Sequence, residues 1–356
     1  MKRNIIVAAL FFVLLSACAG PAVSTPAETD APLATEPAIA PTNTAVPLTE
    51  VNACYSAPTT TQAVPWYAFE KGIFEKYGLK VNLIQMQGSS KAMTALITGD
   101  TSICQMGGNS VINAFAAGQD AVMIAGIYNT YPAVLVARPE IKTVEDLRGK
   151  TIGTGVAASA SEVATHLALQ ELGLEPGVDV NLIEIGEEPD RVAAFRAGQI
   201  DAILTAAPYL HSLREEGVSE LFDFGKVGLP YAHTSLVTTR KFIEENRPIV
   251  VNFMKAILES IALMKADPEG TKEVIAKYLG LDPVADAADL TDAYDTIVLP
   301  LIQDVPYPSL EGLQTLITFT VEANPDAASI TPEQLVDESI IKELEDSGFI
   351  ADILKK

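Results

Sequence analysis

From Val51 onward the apolar positions switch repeatedly between a period of two and a period near 3.6. The pattern predicts strands over 52–56, 80–86, 102–106 and 121–127, with helices over 63–77, 89–98 and 109–117 between them. Pro65 suits the first turn of the first helix. Strands and helices that alternate across short connections argue for a parallel sheet covered by helices. The apolar strand inside NTYPAVLVARPEI (129–141) then leaves this set, and a short helix follows over 143–149. A second series starts with a strand over 150–155. Its helix begins near Ser159 to Ser161, where Ser159 and Glu162 have capping-box spacing. Val163, Leu167, Leu169 and Leu172 make its apolar stripe, and Gly173 is the stop. Strands over 180–185, 201–204 and 220–224 continue the series, separated by helices over 189–197 and 209–216. A second connecting strand over 232–239 precedes a mostly helical end, in which 248–265 carries Val251, Met254, Ile257, Leu258 and Ile261.

One short pattern recurs: ALITGD (95–100), AFAAGQD (114–120) and AFRAGQID (194–201). Each is a helix end, a glycine stop and a following strand, so the same unit builds both halves of the chain. The expected fold is α/β, with two doubly wound lobes joined by two hinge strands near 133–139 and 232–239. Residues 51–135 and 236–356 form the first lobe and 136–235 the second. A cleft between such lobes, lined by the carboxyl ends of strands, is the expected ligand site, and the two crossings act as a hinge.

The first fifty residues add an address. Lys2 and Arg3 precede an apolar run from 5 to 15 and then Leu15-Ser16-Ala17-Cys18. The run is short for a bilayer span and reads as a secretory leader over 1–17. Small residues before a cysteine resemble the lipobox of bacterial lipoproteins, which implies that Cys18 becomes the lipid-modified (palmitate-bearing) N-terminus at the outer face of the cell membrane. Residues 18–50 are rich in Pro, Thr, Ala and acidic residues and lack aromatics, Lys and Arg, so they read as an extended tether. The formal charge of the 356 residues is −22; without Lys2 and Arg3 it becomes −24, from 22 basic and 46 acidic residues. A nucleic-acid partner is excluded, because phosphate neutralisation needs a basic face. Cys54 and Cys104 sit in apolar strand-like runs and read as two buried thiols, although an exported location permits a disulfide. No spacing suggests a metal, and no cofactor is expected.

The chain resembles the solute-binding lipoproteins of bacterial ABC importers, in the group that includes nitrate, sulfonate, taurine, riboflavin and thiamine-precursor binders. The residues that carry the resemblance are WYAFEKGIFEKYGLKVNLI (66–84), MTALITGDTSICQMG (93–107), AAGQDAVMIAGI (116–127), TVEDLRGKTIGTG (143–155) and AFRAGQIDAILTAAP (194–208). The resemblance implies the bilobed periplasmic-binding-protein fold and a monomer that captures a small molecule. It also implies delivery to a membrane permease with its ATPase, and no enzyme activity. The same fold resembles the pyrimidine synthase of thiamine biosynthesis, but that family's cysteine-rich cluster has no counterpart here. A membrane-tethered sensor is a third class with the same signature.

The loops after the strands hold Thr59, Thr60, Gln62, Asn109, Ser110, Asn129, Ser159 and Ser161, with Tyr128, Tyr131 and Tyr209, and Trp66 lies one helical turn away. They contain no Lys or Arg; Arg191 lies just beyond the acidic run Glu187, Glu188 and Asp190. Neutral donors and acceptors with aromatic faces suit a planar neutral heteroaromatic. Riboflavin is the first choice and a pyrimidine precursor of thiamine the second. Helix N-termini and hydroxyls alternatively hold a sulfonate or nitrate with no basic side chain. Each residue also has a plain structural role open to it. Trp66 would pack a helix, Tyr128 and Tyr131 would seal the hinge, Tyr209, Asn109 and Ser110 would cap helices, and His166, His211 and His233 have no nucleophile beside them.

Overall fold

The computed structural model describes residues 47–355. The leader, most of the tether and Cys18 lie outside the described residues. Thr49 and Glu50, placed in the tether by composition, instead open the first strand and pair with Leu79 and Lys80.

Strands β1 (Thr49–Tyr55), β2 (Leu79–Gln85), β3 (Ile103–Met106) and β4 (Val122–Tyr128) form the first sheet. Strands β5 (Val134–Ala137), β6 (Thr151–Thr154), β7 (Asn181–Glu184), β8 (Ala202–Thr205) and β9 (Ser219–Asp223) form the second, and β10 (Thr234–Thr238) returns to the first. The orders are β2-β1-β3-β10-β4 and β7-β6-β8-β5-β9. β10 lies antiparallel between β3 and β4, and β5 lies antiparallel between β8 and β9, while the other pairings are parallel. Each sheet therefore receives one strand from the chain returning out of the other lobe. Every residue of β4, β5, β8 and β10 is buried. That is why β4, β5 and β8 read as apolar runs and not as an alternation, whereas β10 buries Thr234, Ser235 and Thr238 as well. Val134 and Leu135 already pair in the second sheet, and Thr234 and Ser235 in the first. The chain crosses between lobes at 129–133 and 229–233, just ahead of these strands.

The covering helices that bear on the site are α1 (Ala63–Glu70), α2 (Ile73–Lys76), α3 (Ser89–Thr98), α4 (Gly108–Ala116), α5 (Ala160–Glu171), α6 (Glu188–Arg196) and α7 (Tyr209–Glu215). Beyond them lie α8 (Phe224–Val227), α9 (Arg240–Ala266), α10 (Pro268–Leu279) and α11 (Ala287–Ala293). The single helix expected over 63–77 is cut in two because Gly72 adopts φ +65°, a left-handed conformation that stops α1. α9 starts earlier than expected and bends at Asn246 (φ −135°), so Pro248 falls in the first turn after the bend, where a missing N–H is harmless. At α5 the cap is half of the expected box. Ser159 Oγ accepts the Glu162 N–H at 3.2 Å, while the Glu162 carboxylate lies 3.1 Å from His166 Nε2.

Cys54 and Cys104 stand opposite one another on β1 and β3, with their Cα atoms 4.4 Å apart, and form a disulfide. The expectation of two thiols fails because parallel pairing puts the two positions in register. The bridge spans a separation of 50 residues, and closing such a loop stabilises a fold by about 2–4 kcal/mol.

Candidate functional site

Five helix N-termini meet where the lobes face each other. A 3-10 turn over Thr60–Gln62 leads into α1, and Ser89 opens α3. Gly107, Ser159 and Glu187 are the N-caps of α4, α5 and α6. All of these residues line one cavity of about 80 Å³, with Tyr131, Thr205, His233 and Thr234 from the strand ends and crossings. The arrangement follows from winding both sheets alike, since each parallel strand delivers the start of its helix to the same edge. Unpaired N–H groups at those starts make the cavity hospitable to negative charge.

The lobes are closed on each other. Thr60 Oγ1 donates to the Ala207 carbonyl at 3.0 Å, and Ser212 N–H of α7 donates to Asp289 of α11 at 3.0 Å. The Ala158 carbonyl accepts from Asn109 Nδ2 at 3.0 Å and from Ser90 Oγ at 3.2 Å. Ala158 holds φ +58° to reach them. Close backbone approach is part of this closure. A Cβ at Gly107 would lie 2.8 Å from the Ala160 Cβ of the other lobe. Gly107→Ala is therefore expected to cost the closed form about 1–3 kcal/mol through overpacking. Small-angle scattering would show a larger radius of gyration at unchanged helix content; an unchanged radius would count against this contact as the limit on closure.

Among the described residues that line the cavity, the cation is Arg191. Arg191 is 4% exposed, and its Nη1 donates to the Gly186 carbonyl. Its Nε has no partner, and no carboxylate among the described residues stands within ion-pair distance of it. Glu188, 8% exposed, accepts at Oε1 from Thr205 Oγ1 (2.7 Å) and the Ala206 N–H (2.9 Å). Burial pushes the Glu188 carboxyl up, and Arg191 with the two donors pulls it back. Burial also raises Glu187 to about 7, opposed by Arg191 and reinforced by Asp190 and Glu188. His233 lies 3.2 Å from Thr61 Oγ1 and packs its ring 4.2 Å from that of Tyr131. Burial drives its pKa down to about 3, so the imidazole is neutral, and its Nδ1 has no partner.

Of the residues picked out in the sequence, Thr59, Thr60, Gln62, Ser159 and Ser161 line the cavity. Trp66, Asn109, Ser110, Tyr128, Asn129 and Tyr209 do not, and each has a different reason. Trp66 is fully buried, stacked on Tyr278 of α10 at 4.6 Å and edge-on to Tyr55 at 5.3 Å. Tyr128 ends β4 with its ring in the core of the first lobe. Asn129 fastens the 307–309 turn, donating to the Tyr307 carbonyl at 2.9 Å and accepting from the Ser309 N–H at 3.2 Å. Asn109 is spent on Ala158, and Ser110 faces the groove between α3 and α4. Tyr209 packs with Val192, Phe195 and Leu213. None of these three caps a helix as the sequence suggested. The residues missed were Arg191 and His233. Arg191 was legible in principle: side chains lean toward the N-terminus of their helix, so a cation in the first turn reaches the cleft that the N-cap faces.

Residues 60–271 match the family described as NMT1/THI5 like. The chain belongs to the NMT1/THI5-like family. It is 26% identical over 300 residues to the riboflavin-binding protein RibY of Chloroflexus aurantiacus, covering 82% of each chain. It is 29% identical over 224 residues to a putative aliphatic sulfonates-binding protein of Bacillus subtilis, covering 60% of this chain and 66% of the relative. The fold matches the periplasmic aliphatic sulphonate binding protein of Escherichia coli with a TM-score of 0.64 at 21% identity, over 83% of this chain and 99% of that one. This NMT1/THI5-like protein is thus a solute-binding protein of the ABC-importer type with the periplasmic-binding-protein fold. No helix among the described residues is long and apolar enough to cross a membrane.

Proposed function

We propose that this protein captures a compact solute bearing an anionic group of the sulfonate type and delivers it to a membrane permease and its ATPase. One observation carries the reading: a buried guanidinium in the cavity wall that has, among the described residues, an unpartnered Nε and no carboxylate in ion-pair range. A buried charge left in that state costs several kcal/mol, which an anionic ligand recovers by accepting from both the guanidinium and the helix N-termini. The cavity volume of about 80 Å³ points the same way. Drug-sized ligands occupy pockets of roughly 300–1,000 Å³. The sulfonate-binding relative supports this class.

A second reading, riboflavin, is favoured by the relative that matches 82% of each chain. Its physical basis is weaker than the sequence suggested, because Trp66, Tyr128 and Tyr209 are core residues and, among the described residues, the aromatic rings lining the cavity are those of Tyr131 and His233. A crystal structure grown with ethanesulfonate tests the choice. The sulfonate is expected against Arg191 and the Ser159 hydroxyl; an empty cavity at saturating concentration would refute the anion reading. The same proposal holds the mature protein to be lipidated at Cys18 and tethered outside the membrane. Mass spectrometry of the mature N-terminal peptide checks this, and an unmodified Cys18 or cleavage elsewhere contradicts it.

A further inference from the structure

Away from the cavity the lobes meet along a second seam, between α7 of one and α11 of the other. Both helices are fixed by their apolar sides. Leu210 and Leu213 bury α7 in the second lobe, and Leu290 and Ala293 bury α11 in the first. The intervening positions, His211 with Ser212 and Asp289 with Asp292, are left to face the seam. Asp289 Oδ1 accepts the Ser212 N–H at 3.0 Å, whereas Asp292 Oδ2 is buried with no hydrogen-bond partner among the described residues.

The neighbouring arginines are committed inside the second lobe, Arg214 to Glu220 at 2.6 Å and Arg196 to Glu216 at 2.8 Å. His211 is held more loosely, since its Nε2 stands 3.8 Å from Glu215 on its own helix, beyond hydrogen-bond range. Burial raises the carboxyls of Asp289 and Asp292, and His211 is the foremost charge that pulls each of them back. The Ser212 N–H and Arg196 also pull Asp289 down while Asp286 pushes it up. Arg214 and Asp295 act in the same two directions on Asp292.

We propose that His211, Asp289 and Asp292 form an acid-favoured latch between the lobes: an imidazolium at His211 draws α11 onto α7 and stabilises the closed form. The latch acts on closure itself and does not depend on which solute the cavity takes. In the closed form the charged ring faces two carboxylates, and in the open form it faces water, so closure favours the protonated ring. Histidine changes charge between pH 5 and 8, so this contribution is present below that range and is lost as pH rises through it. The two carboxyls act in the same direction, because burial raises them above their ordinary 3.8 and closure therefore favours their neutral form as well. Partly exposed charge pairs each shift an equilibrium by up to about fivefold, so two of them move the closed-to-open ratio by about three- to tenfold. Solute capture then tightens as the surroundings acidify.

Amide hydrogen exchange and small-angle scattering on the full-length protein without solute, at pH 5.5 and pH 8, test this. The Ser212 N–H reaches Asp289 across the seam, so its protection factor, corrected for the intrinsic pH dependence of exchange, follows the closed-to-open ratio. In the wild type it is expected to be about three- to tenfold higher at pH 5.5, with a smaller radius of gyration. Glu187, raised to about 7 by burial, titrates in the cavity over the same range, so the comparison with His211→Gln decides. That variant is expected to match the wild type at pH 8 and to fall severalfold below it at pH 5.5. Asp292→Asn removes a buried charge with no partner and is expected to close more at pH 8 and respond less to pH. Equal protection and equal radius in His211→Gln and the wild type at pH 5.5 would overturn the latch. So would an Asp292→Asn protein that is more open than the wild type at pH 8.

Discussion

Replacing Arg191 with alanine is expected to weaken binding of the sulfonate probe by some thirtyfold to several thousandfold, with little loss of stability in the ligand-free protein. The first half follows from truncating one partner of a buried charge pair, which costs about 2–5 kcal/mol. The second half follows from the state of Arg191 without ligand. Among the described residues its hydrogen bond runs to the Gly186 carbonyl and its Nε is unpartnered, so removing it takes away a desolvated charge as well as a contact. The loss has a pH signature through Glu188. That carboxyl is already raised from its ordinary 4.5 by burial, and Arg191 is one of the groups holding it back. Folding therefore favours its neutral form. The corresponding stability is present below about pH 4.5 and is lost as pH rises through the folded-state value. Without the guanidinium that value climbs, so Arg191→Ala should lose stability over a wider span of pH than the wild type. Denaturant midpoints from pH 5 to 8, beside dialysis with labelled ethanesulfonate, measure both effects. Unchanged affinity would remove Arg191 from the site.

Trp66→Ala is expected to destabilise the protein by about 3–5 kcal/mol and to leave solute affinity unchanged where both proteins are folded. The indole is fully buried, stacks on Tyr278 with the planes 8° apart and meets Tyr55 edge-on, so it ties α1 to α10 behind the first sheet. Alanine leaves a large hole in an interior that relaxes only in part. Trp66→Phe keeps most of the volume and discards an indole N–H that has no partner, so it should cost much less. A binding defect in Trp66→Ala at full folding, measured well below its melting temperature, would return the indole to the ligand site.

These two residues show where sequence reasoning carried and where it stopped. Strand and helix order was legible because fully buried strands and capped helix starts leave local marks, as with Ser159 at α5 and the apolar run of β4. Gly72 and Asn246 were harder, since each breaks a helix whose apolar stripe continues past the break. The disulfide depended on β1 lying beside β3 in register, a nonlocal fact. The hydroxyls of the cavity were found because helix starts in a doubly wound sheet share one edge. Aromatic roles were not legible. Tyr128 and Tyr131 are three residues apart, yet one is in the core of the first lobe and the other lines the cavity. Their direction is set by how β4 ends and where the crossing begins, which no periodicity encodes. Arg191 lies just beyond the acidic run, so a reading confined to the loops leaves the guanidinium out and weighs the neutral donors instead.

The most direct measurement is a competition titration of the purified protein with ethanesulfonate and riboflavin. The account predicts one ethanesulfonate bound per chain, lost in Arg191→Ala and not displaced by riboflavin. One riboflavin bound per chain, with ethanesulfonate unable to compete and Arg191→Ala binding normally, would contradict it.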